Sequence, residues 1–177
     1  MNYSKSIFLI LLMISCQLFS QTTGSRNVAV ALPVVTLMDI EPSGTISLNY
    51  TAPTEAGNAI TAPVANTSKW INYTSAIALS GLSRRITASV NQTIPGIDIK
   101  IQAATASGSG GGILGVPSAQ ITLTTVAQTV ISGIGGAFTG NGSNNGHQLT
   151  VTLVTNNYSS LNARSNTPVI ITYTITE

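Results

Sequence analysis

The sequence predicts an all-β chain, a sandwich or barrel of about eight to ten short antiparallel strands. Three observations carry that expectation. Apolar and polar residues alternate with period two in one window after another. No window holds a sustained 3.6-residue apolar period, so amphipathic helices are not expected. Clusters of Gly, Pro, Asn and Ser punctuate the chain at short spacing, as turns between short strands do.

Composition narrows the class further. Only 7% of the 177 residues are charged, against about 25% in an ordinary soluble domain. The abundance of β-branched residues argues against disorder, and Thr, Ser and Asn supply the polar surface. The formal net charge is +2 and scattered. Arg84-Arg85 is the only basic pair and reads as two solvated side chains at a strand start, not a phosphate-binding patch. Nucleic acid is therefore not an expected partner.

In chain order, residues 1–20 read as a secretory signal. Lys5 supplies the positive charge, and Ile7–Ile14 forms an apolar run too short to span a bilayer. Cleavage after Ser20 would start the mature chain at Gln21 and remove Cys16, the only cysteine. The alternative is lipoprotein processing with acylation at Cys16. Residues 21–177 then read as a single domain with an N-terminal extension over 21–40. In that extension Val28, Val30 and Leu32 alternate, Pro33 interrupts, and Val34–Ile40 resumes. Because Pro cannot donate to a ladder, the strand breaks at Pro33 or lies at an edge.

Thr45–Thr51 alternates Ile46, Leu48 and Tyr50 inward, and Ala59–Val64 reads as a short strand. Lys69–Leu79 holds the only Trp, and Arg85–Asn91 alternates Ile86, Ala88 and Val90. Gly96–Ala103 points Ile97, Ile99 and Ile101 inward and Asp98, Lys100 and Gln102 outward. Ser107–Gly112 reads as a flexible glycine loop, followed by a turn at Gly115–Ser118 and strands over Ala119–Thr124 and Thr125–Ile134. Gly140–Gly146 reads as a turn joining two strands, the second being His147–Thr155. From Val169 the final strand places Val169, Ile171, Tyr173 and Ile175 on one face and Ile170, Thr172, Thr174 and Thr176 on the other.

Side chains suited to catalysis are scarce. His147, the only His, reads as a turn residue leading into a strand. Asp39 and Glu41 share one strand face but supply too few ligands for calcium. No enzymatic activity, metal or cofactor is expected. Trp70 and Tyr73, three apart on a strand, point to opposite faces. Trp70 reads as a core anchor. In the alternative, Trp70, Tyr73 and the 140–146 loop contact a glycan or another surface.

An export signal, an alternating N-terminal segment (Asn27–Leu32), a Thr-rich β body and a final strand carrying Tyr173 together resemble the pilin subunits of chaperone–usher fimbriae, the archaic type in particular. The signal ending Gln17–Gln21 is similar to those of exported proteins of the Bacteroidetes. The resemblance implies an incomplete immunoglobulin-like sandwich lacking one strand. Its groove would run beside Val169, Ile171, Tyr173 and Ile175. A periplasmic chaperone would fill the groove first. At the outer-membrane usher, the N-terminal segment of the next, identical or related subunit would replace it, inserting Val28, Val30 and Leu32. The product would be a cell-surface fibre. Two departures accompany the resemblance: the mature chain lacks the cysteine pair that many pilins carry, and Pro33 interrupts the donor segment.

Overall fold

The computed structural model describes residues 23–165 and 167–177. The signal segment, its cleavage point and Cys16 lie outside the described residues. The chain divides after Leu32 into two units, the second being Pro33–Glu177. Within the first, residues 23–32 form no strand.

The second unit is an antiparallel β-sandwich. Its strands are β1 (Val35–Glu41), β2 (Asn66–Ala76), β3 (Arg84–Val90), β4 (Ile97–Ala103), β5 (Gly111–Pro117), β6 (Ile121–Thr122), β7 (Gln128–Phe138), β8 (His147–Thr155) and β9 (Ile171–Thr176). A single flat sheet gives each strand at most two neighbours, yet β2 pairs with β1, β8 and β7, and β7 pairs with β2, β3 and β5. The two 11-residue strands reconcile this by dividing their lengths. The first part of β2 pairs with β8, while Thr74 and Ser75 pair with Phe138 and Ala137 of β7. At that corner one sheet folds over into two layers: β1-β2-β8-β4-β6 and β5-β7-β3-β9.

Between the layers lies a core of alternate residues. Ile71, Ile86, Ile101, Ile131 and Ile134 are fully buried, joined by Val130, Leu149 and Val151. Each large aliphatic side chain taken out of water contributes about 1.5–3 kcal/mol, and β-branched Ile and Val suit the pleated surface.

Several expectations are corrected by pairing. The expected strand over 27–40 begins only at Val35, past Pro33. Residues 43–50 keep the predicted alternation, with Ile46 and Leu48 packed on the core, but they join no ladder. Ala59–Val64 contributes only the Thr61 bridge to Thr51. The supposed glycine loop runs into β5, because the backbones of β5 and β7 approach too closely for side chains. A Cβ on Gly112, whose φ is +89°, would overlap the carbonyl of Gly136. Residues 140–146 do not close a hairpin: β7 and β8 are not paired, and the loop carries the chain from one layer to the other.

Candidate functional site: an open sheet edge

β9 pairs only with β3, in the register Arg85↔Thr176 through Val90↔Ile171. Among the described residues its other edge is unpaired. The sequence alternation holds: Ile171, Tyr173 and Ile175 are half-buried, and Thr172, Thr174 and Thr176 are exposed. Val169 is also half-buried, and all four apolar residues pack against the core cluster. Backbone direction follows from the start of the strand. Ile170 accepts from the Asn91 N–H at 3.1 Å, and its own N–H donates to Asn91 Oδ1 at 2.8 Å. Ile170 therefore faces β3, as do Thr172 and Thr174. The N–H and C=O groups of Ile171, Tyr173 and Ile175 face the free edge instead, by strand alternation. One residue in two thus offers both an inward side chain and an outward backbone pair.

β1 supplies the nearest other edge. β1 pairs with β2 from Val35↔Ala76 to Glu41↔Trp70, and among the described residues its other edge is unpaired. Beyond Glu41 the ladder stops at Pro42, which has no N–H; the chain bends at Pro42 and Gly44, and residues 45–50 join no strand. Among the described residues, no backbone hydrogen bond is made by residues 43–50. Met38, Ile40, Ile46 and Leu48 turn toward the core. β1 and β9 come near each other without a ladder between them. The two free edges therefore flank an apolar gap floored by the core.

One end of the gap is tied by a residue that the sequence reading left in solvent. Arg84 is 3% exposed. Its guanidinium donates to Val35 O at 2.6 Å, Ser75 Oγ at 2.8 Å and Ala76 O at 3.4 Å. It also lies 3.5 Å from the carboxylate of Glu177. This side chain joins the start of β1, the end of β2 and the residue after β9. Its parity was the available signal, since Arg84 shares a face with Ile86, Ala88 and Val90. Arg85, by contrast, is exposed as expected.

Tyr73 requires a correction. It is 3% exposed, stacks on the His147 ring with centroids 5.8 Å apart, and its hydroxyl contacts Leu114 O and His147 Nε2. It faces the interior and offers no ring face to a ligand. His147 is likewise fully buried, with Nδ1 2.8 Å from Ala104 O. Its parity with Leu149 and Val151 is what takes it inside. Burial raises the pKa of both Tyr73 and Tyr173 well above the ordinary tyrosine value. Trp70 is half-buried on the opposite parity. Val28, Val30 and Leu32 are 83%, 86% and 84% exposed.

Among the described residues, no cluster of three or more metal-ligating side chains is formed, and no helix is long and apolar enough to cross a membrane. No protein-family model matches the chain, and no curated protein or solved structure is significantly similar to it.

Proposed function

We propose that the protein is an exported, non-enzymatic subunit of a cell-surface fibre, assembled by strand addition between copies. The observation that carries this reading is the free edge of β9. Among the described residues its backbone groups at Ile171, Tyr173 and Ile175 are unpaired toward a gap, and the outer edge of β1 on the far side is unpaired as well. Such a gap accepts an extended segment with main-chain hydrogen bonds on both sides and alternate side chains inward. The exposed, alternating Val28, Val30 and Leu32 supply a segment of that kind. Head-to-tail addition of this sort does not close and yields a filament. An immunoglobulin-like sandwich lacking one strand, a chaperone covering the gap before assembly and an outer-membrane usher belong to the same reading.

The test compares the mature chain, Gln21–Glu177, with one lacking Gln21–Leu32, by light scattering after refolding and by resistance to SDS. The full chain is expected to form SDS-resistant multimers and the shortened chain to remain monomeric. Monomers in both cases would remove the proposal. A glycan- or surface-binding module is the second reading. It is favoured by the partly exposed Trp70 and by an open hollow of about 410 Å³ beside Leu37, Asp39, Asn72, Phe138 and Asn141. Glycan-array binding lost on Trp70→Ala would support it.

A further inference from the structure

A segment that fits a gap between β1 and β9 has two gaps within reach: that of another copy and its own. Its own lies next door in sequence, because β1 starts at Val35, three residues after Leu32. A short flexible connection would hold the segment at an effective concentration in the millimolar range. Against a neighbour at about 10 micromolar, self-pairing would then win by roughly a hundredfold, and no fibre would grow.

To pair with its own β1, the segment would have to reverse direction within Leu32-Pro33-Val34-Val35. Tight hairpins whose twist matches their strands need φ > 0 at a central residue, and Gly, Asn or Asp supplies it. Proline is locked near φ −65°, and a β-branched residue at positive φ is strained. Longer hairpin loops set a left-handed residue at their end, where this chain has Val34. No Gly, Asn or Asp occurs between Val28 and Met38. Elsewhere the chain does place such residues where it bends: Gly140, Gly142, Asn144 and Gly146 all have φ between 68° and 83°. The point of reversal is also engaged elsewhere. The Val35 carbonyl, which a two-residue hairpin would offer to Leu32, already accepts from the buried Arg84 guanidinium at 2.6 Å.

We infer that the Leu32–Val35 junction, with Arg84 capping Val35, bars Val28, Val30 and Leu32 from their own gap and leaves them for the gap of a second copy. The inference rests on the strand-addition reading and adds the reason why addition is intermolecular. Pro33, which interrupts the strand, is on this view part of the device.

Four mature full-length chains test it: the unmodified chain; Pro33→Asn/Val34→Gly, which installs an Asn-Gly turn; a chain with Asn-Gly-Ser-Gly inserted between Leu32 and Pro33, which leaves every native residue in place; and Pro33→Ala, which restores an N–H without a turn. Light scattering at about 10 micromolar should find multimers in the unmodified and Pro33→Ala chains, and about a hundredfold fewer in the two turn-bearing chains. Turn-bearing chains that multimerise like the unmodified one would overturn the inference. Strand addition would still stand if excess Gln21–Leu32 peptide suppressed those multimers. An unmodified chain that stays monomeric would overturn both.

Discussion

Arg84 concentrates several contacts in one buried charge. Its three acceptors are backbone and hydroxyl oxygens that would be left without a donor on truncation. Leaving a buried acceptor without its donor costs about 1–3 kcal/mol. Glu177 is half-exposed, so its share is that of a surface ion pair, under about 1 kcal/mol. Urea denaturation should therefore show Arg84→Met destabilised by several kcal/mol, about 2–4, and Glu177→Gln nearly unchanged. Equal losses in the two variants would mean that the ion pair, not the carbonyl contacts, sets the contribution of Arg84. A second residue-scale expectation concerns ionisation. Burial raises the folded-state pKa of Tyr73 and Tyr173 above the unfolded value, so the folded state holds the phenolic proton more tightly. The stabilisation is fully present below pH about 10 and is lost as pH rises above it. Denaturation midpoints should stay level to pH about 9.5 and then fall, and Tyr173→Phe should fall less steeply. A midpoint independent of pH up to 11, roughly one unit past the unfolded value, would exclude this coupling.

At the scale of the element, legibility followed from how each strand is paired. β4, β8 and β9 carry alternating apolar residues with one buried face, and the sequence placed them within a residue or two. The apolar row along the free edge, Val169 to Ile175, was legible for the same reason. Residues 43–50 were read as a strand because Ile46 and Leu48 alternate inward, but alternation reports which side is buried and not whether a neighbour completes the ladder. β5 was hidden for the opposite reason: its glycines answer to backbone crowding and carry no alternation. Gly112 and Gly115 sit at positive φ against the backbone of β7. Gly112→Ala should lose clearly more than the roughly 1 kcal/mol seen when glycine freedom alone is at stake, and hydrogen exchange should show β5 loosened while β9 is unaffected. Uniform loosening of both strands would contradict a local effect. The approach of β1 to β9, and the Arg84 tie, could not be read because both depend on which distant segments lie side by side.

In the Pro33–Glu177 unit the sandwich is one sheet bent at the junction of β2 and β7, and the open edges of β1 and β9 come near each other. The pairings that build it are distant in sequence: Asn66 meets Val151, and Arg85 meets Thr176. Closing such long loops before any contact forms is the slow step in β-rich folding, which takes milliseconds to seconds in small all-β domains. The layer β5-β7-β3-β9 lacks its last member until residues 171–176 are present. A chain emerging progressively therefore exposes β3 with one edge unmatched until nearly all of the chain has emerged. Folding that began before then would leave that edge bare.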